Sequence, residues 1–238
     1  ETGTQIIEGI ATLELYSKDK LDTVQSSVEY MFYETPMLPY QDSVNRIIKE
    51  YLSGFVSAGG GITEQNADVS AAFIENSLKD FGDEYNRQQE IIEGMGVWTT
   101  ETSISIIEGT ADFVEISFHN WNYSGGAHGN AWSEQRIIDR KTGKELMLED
   151  FISDMSVLTA KAEKIFRADQ EIAEGASLID EGFWFNDGKF HLNENFVFNE
   201  ETLDFLYNQY EIAPYAAGVI YLSIPMEEVK DLLKRKVR

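Results

Sequence analysis

Apolar and polar residues alternate over residues 10–16, IATLELY, and 28–33, VEYMFY. A period of two is the signature of half-buried strands. Pro36 and Pro39 close the second run, because proline removes a donor from a strand ladder. The period then changes. Val44, Ile47, Ile48, Tyr51, Leu52 and Phe55 recur at helical spacing behind an N-cap at Asp42 or Ser43,. Gly59, Gly60 and Gly61 end that helix. A second helix is expected over residues 68–92, with Val69, Ala72, Phe73, Leu78, Phe81 and Tyr85 inward and a break at Gly82,.

From residue 97 to 139 the pattern is that of strands again, in the segments 97–107, 112–123 and 132–139,. The middle one has an oddity. Val114, Ile116 and Phe118 share one parity while Trp121 and Tyr123 hold the other. A one-residue slip turns side chains to the opposite face, so a bulge is expected near His119 and Asn120. Residues 140–144 read as a turn with Gly143 at positive φ,. A helical start over 148–152 precedes a main helix over 156–174, with Leu158, Ala162, Ile165, Phe166 and Ile172 inward and Gly175 as a cap,. Strands come next at 182–185, 196–198, 202–207 and 219–224, with a hairpin turn at Asn186-Asp187-Gly188,. Pro225 opens a last short helix through Val229, Leu232 and Leu233,.

Strands and helices come in blocks, not in strict βαβ alternation. That predicts an α+β fold with mostly antiparallel sheets, helices on one face and two small subdomains. The expected division is an N-terminal domain over 1–96 and a C-terminal domain over 97–238.

Charge narrows the partners. The 238 residues include 42 acidic and 19 basic side chains, a net charge of −23. Such a chain repels nucleic acid and anionic membranes and attracts basic partners. Only residues 230–238 are locally basic. There is no cysteine, which removes disulfides, thiol catalysis and thiolate metal sites. No apolar run reaches the roughly 18 residues of a membrane span. The chain begins with Glu1, which leaves room for a removed signal peptide or lipid anchor.

Familiar catalytic signatures are missing. Gly59-Gly60-Gly61 lacks the Gly-Lys-Ser/Thr of a phosphate loop. No Gly-x-Ser-x-Gly elbow occurs. The three histidines, His119, His128 and His191, share no metal-ligand spacing,, so no metal, cofactor or catalytic residue is assigned. The densest segment is YSGGAHGN, from Tyr123 to Asn130, between Trp121 and Trp132. Gly125 and Gly126 let the chain leave a strand in a conformation closed to other residues. His128 and Asn130 then present polar groups, and the aromatic rings supply flat contact surface. Three readings stand: a tight connection, a contact surface, or acid–base catalysis by His128. A second dense segment, 207–218, carries Tyr207, Tyr210 and Tyr215, suited to ring packing or to a shallow binding face,. The candidate ligand-binding residues are therefore Trp121, Tyr123, Gly125, Gly126, His128, Asn130, Tyr210 and Tyr215.

YSGGAH, then DRKTGKEL (139–146) with LED and Phe151, then YEIAPYAAG (210–218) and Ile224-Pro225, succeed one another in an order that resembles the C-terminal domain of RsiV-type anti-sigma factors. That domain also occurs in PdaC-type peptidoglycan deacetylases and in envelope lipoproteins. The resemblance covers about residues 97–233, and the upstream half looks like the smaller PdaC-type domain that precedes it. It implies an extracytoplasmic module, in the periplasm or on the cell surface, with or without a lipid anchor. The anti-sigma members bind lysozyme, a strongly basic protein. The chain departs from them in lacking a membrane span and a sigma-binding segment, and it has no room for a deacetylase domain. The leading expectation is a non-catalytic cell-envelope module that binds a cationic protein such as lysozyme, or peptidoglycan fragments. The competing one is a cell-wall polysaccharide hydrolase that uses His128 with a carboxylate. A structural spacer is the third.

Overall fold

In a computed structural model the protein is described over residues 5–16, 23–57, 70–92 and 96–237. The chain forms two compact units. The first takes in residues 1–108, 112–131 and 138–144; the second takes in 109–111, 132–137 and 145–238. The fold is α+β and its sheets are mostly antiparallel.

In the first unit, β1 (Ile6–Tyr16) and β2 (Thr23–Tyr33) pair antiparallel without a break, from Ile6 opposite Tyr33 to Tyr16 opposite Thr23. The chain then makes two helices, α1 (Pro39–Ser57) and α2 (Ala71–Ile91). It returns as β3 (Thr99–Ile107), which lies parallel to β2. A helical excursion is what a parallel return requires. β4 (Phe113–Tyr123) and β5 (Asn130–Asp139) complete the sheet order β1-β2-β3-β4-β5, with residues 132–137 of β5 counted in the second unit. Both helices lay apolar stripes on the sheet. Val44, Ile48, Leu52, Ile74 and Leu78 share one core with Val28, Phe32, Ile104, Ile116 and Phe118.

Three expectations for this unit change. α1 starts at Pro39, ahead of Asp42 and Ser43. Proline fits a first helical turn, where its missing N–H is not needed. Gln41 serves that end instead, its amide oxygen accepting from the N–H groups of Met37 (2.9 Å) and Leu38 (3.0 Å). Gly82 does not break α2. It lets the helix lie on β1, where a Cβ would fall 2.7 Å from Leu15 Cδ1 and 2.9 Å from Leu13 Cδ2. Nor does β4 bulge, for its register against β3 runs unbroken from Thr99 opposite Tyr123 to Ile107 opposite Glu115. Parity is kept because Asn120 occupies the core face and is fully buried. Its amide nitrogen donates to the hydroxyls of Thr100 and Thr102, both at 3.0 Å, and to the Glu101 carbonyl at 3.3 Å. Trp121 and Tyr123 sit on the other face by plain alternation. The expected stop at residues 59–61, the expected start at 68, and the inward Phe55 side chain lie outside the described residues. Gly143 takes φ 69° as expected, and a Cβ there would meet the Pro39 carbonyl oxygen at 2.8 Å.

In the second unit, β6 (Phe196–Phe198), β7 (Thr202–Tyr207) and β8 (Ile220–Pro225) form an antiparallel sheet in that order. It is accompanied by α3 (Leu148–Phe151), α4 (Met155–Asp169) and α5 (Met226–Val229). Asp154 caps α4, its Oδ1 accepting from the backbone N–H groups of Ser156 and Val157, each at 3.1 Å. α4 ends at Asp169, short of the expected 174, because Glu171 turns the chain at φ 56°. Arg167 ties down the segment beyond the turn, donating to the Ala176 carbonyl at 3.0 Å. Residues 182–185 are not a strand. Phe183 and Phe185 alternate with Trp184 because both rings pack on Phe166, at 5.1 and 5.4 Å between centroids. Asn186–Gly188 is a single 3-10 turn with Asp187 at φ 57°, not a hairpin.

Candidate functional site

Six of the eight sequence-derived candidates lie in the first unit, and Tyr210 and Tyr215 lie in the second. The six surround the connection between β4 and β5. Gly125 and Gly126 take φ 89° and 103°, a region an L side chain enters only with strain. The Tyr123 hydroxyl closes the turn by donating to the Gly126 carbonyl at 3.0 Å. His128 Nδ1 lies 3.0 Å from the Gly129 carbonyl. A carbonyl only accepts, so that contact calls for a proton on Nδ1. Gly129 packs against Trp121, since a Cβ would fall 2.7 Å from Cζ2 of the indole. Asn130 opens β5. Trp121 keeps 37% of its surface exposed. These contacts make the loop a built turn with a partly exposed indole beside it. In the second unit the rings of Tyr210 and Tyr215 stand 5.6 Å apart. Tyr210 holds φ 65° and is 53% exposed.

The second unit also contains a cleft of about 230 Å³ that sequence reading missed. One wall is residues 132–137, and the other comes from 145–147, 193–196, Asn208 and Glu211. Amide side chains that act as backbone join the two. Asn208 Oδ1 accepts from the Ser133 N–H at 2.8 Å, and its Nδ2 donates to the Ser133 carbonyl at 2.9 Å. Asn195 donates to the same carbonyl at 2.8 Å and accepts from the Gln135 N–H at 2.9 Å. Two side chains thus stand where a neighbouring strand would be. One carboxylate holds the Asn208 backbone and the neighbouring Asn193 side chain. Glu211 accepts from Asn193 Nδ2 and from the Asn208 N–H, both at 2.7 Å.

Charge in the cleft is mixed. Arg136 pairs with Glu134 and donates to Glu145 at 2.6 Å. Burial pulls its pKa down, but the Glu145 hydrogen bond and the charges of both glutamates outweigh that and hold the guanidinium above its ordinary value. Glu194 accepts from the Leu148 N–H at 2.8 Å. Behind the wall, burial and then the Glu211 charge push the Tyr207 hydroxyl above the usual phenol range. That hydroxyl donates to the His191 carbonyl at 2.8 Å. Trp132 stands at the rim, 38% exposed. No histidine lines the cleft. Among the described residues no group of three or more His, Cys, Asp or Glu side chains is placed to hold a metal ion. No helix among them is long and apolar enough to cross a membrane.

The only sequence trace of this cleft is the polar run Asn193-Glu194-Asn195 directly before the apolar strand at Phe196. Nothing in it says that the partner is Ser133, 62 residues away from Asn195.

Similarity to known proteins bears most directly on the unit that holds this cleft. Residues 144–227 match the model of the DUF3298 family, described as "Protein of unknown function". A DUF3298 family member from Bacteroides fragilis NCTC 9343 superposes with a TM-score of 0.73 at 20% identity, covering 98% of this chain and 94% of that one. A DUF3298 family protein from Pseudomonas aeruginosa PAO1 gives 0.62 at 16% identity, over 98% and 95%. At such identities the likeness is one of fold. No curated protein matches the chain.

Proposed function

We propose that the chain is a non-catalytic module of the bacterial cell envelope that binds a cationic protein, lysozyme being the partner its RsiV-type resemblance suggests. The observation that carries the reading is charge. Forty-two acidic side chains against 19 basic ones leave −23 on 238 residues, spread along the chain. An excess of that size raises the local concentration of a basic partner and speeds encounter. The ordered run from YSGGAH to Ile224-Pro225 supports the finer RsiV/PdaC-type assignment, which is compatible with the DUF3298 match over 144–227. The same resemblance supports a place outside the cytoplasm. Calorimetric titration with a basic lysozyme at low and at physiological ionic strength tests the reading. A one-to-one complex that weakens as salt rises is the expected result. No complex at low salt, or equal binding of a charge-neutralised lysozyme, overturns it.

A further inference from the structure

The cleft of the second unit cannot take a peptide by strand addition. The outward N–H and carbonyl of Ser133 and the N–H of Gln135 are already bonded to Asn208 and Asn195, and the Ile137 carbonyl accepts from the Leu146 N–H at 2.7 Å. What remains is side-chain chemistry: a half-exposed indole, apolar side chains such as Leu146 and Met147, carboxylates and one guanidinium. A bare cation would meet Arg136, and a bare anion would meet Glu134, Glu145, Glu194 and Glu211. A hydroxyl both donates and accepts, so a neutral ring bearing several hydroxyls suits such an alternating wall. For Glu134, Glu145 and Glu194 the described bonds use one carboxylate oxygen each, leaving the other to accept from a ligand hydroxyl. The volume, about 230 Å³, falls below the roughly 300–1,000 Å³ of pockets that enclose drug-sized molecules. It matches one ring of a longer chain whose remainder lies outside.

We propose that this cleft is a saccharide subsite: one sugar ring lies against the Trp132 indole, and its hydroxyls bond to the remaining carboxylate oxygens of Glu134, Glu145 and Glu194. An aromatic plate with polar groups around it gives orientation as well as apolar contact. The site is separate from the charge-driven docking proposed above, because a neutral glycan gains nothing from a net charge of −23.

The whole chain titrated calorimetrically with a trimer of N-acetylglucosamine and with a trimer of glucose tests the assignment. Binding of at least one trimer is expected, unchanged between low and high salt. Trp132→Ala and Trp132→Leu should each weaken it about tenfold, as loss of one stacking plate implies. Trp132→Phe should keep it within about twofold. The far-ultraviolet circular dichroism of each variant should match the parent, and Trp132→Leu, which preserves apolar bulk, guards against a variant that fails to fold. Failure of the parent to bind either trimer, or undiminished binding by folded Trp132→Leu, overturns the subsite. Salt dependence separates this outcome from that of the lysozyme titration.

Discussion

Asn120 shows what one residue decides. It is a fully buried polar side chain on the face of β4 that also buries Val114, Ile116 and Phe118. A buried amide is tolerated only if it is bonded, and its nitrogen finds two threonine hydroxyls and a carbonyl on β3. Asn120→Ala should cost about 2 kcal/mol, read as a lower urea midpoint with an unchanged slope. The residue also explains what its neighbourhood hides. In sequence, polar Asn120 between apolar positions looks like a change of face, and a slip is the natural reading of Trp121 and Tyr123. Periodicity alone cannot tell a polar residue turned outward from one turned inward and bonded. Gly125, Gly126 and Gly143 are legible for the opposite reason, since only their backbone matters and glycine advertises it.

At the level of elements, alternation marks most of the strands that have a ladder. β1, β2, β4, β6, β7 and β8 all fall on runs of alternating apolar residues. It fails at 182–185, where alternate phenylalanines reach an aromatic cluster without any neighbouring strand. It also says nothing about the cleft. Asn195 and Asn208 reach Ser133 across 62 and 75 positions, and no local pattern records that a side chain will replace a strand. An unpaired strand edge invites foreign strands, and these amides block it. Asn208→Ala leaves the Ser133 N–H without its acceptor and should cost about 2 kcal/mol. Hydrogen exchange at the Ser133 amide should speed up more than exchange in β7, whereas loss spread evenly over the unit would contradict the local role.

For the molecule as a whole, the excess of acid sets how stability responds to pH. Between pH 7 and mildly acidic conditions, protonation relieves self-repulsion and favours the compact state. A second effect opposes it further down. The Val157 N–H and the Ser156 hydroxyl hold the Asp154 carboxyl below its usual pKa, and the Lys161 ammonium does the same for Glu228. A depressed folded-state pKa adds stability that is present above the unfolded value, about 4 for both groups. That stability is lost as pH falls through the folded values. The thermal midpoint should therefore peak near about pH 5 and fall below about pH 4, and added salt should raise it more at pH 7 than at the peak. Scanning calorimetry across pH and salt checks both. Synthesis meets a different constraint. β2 pairs with β3 through Gln25 opposite Thr99, so a ribosome that has released the first hairpin must make two further helices before its waiting side is covered. Until then the nascent protein carries a bare, sticky border, and the growing chain is most exposed to misassembly while α1 and α2 are being translated.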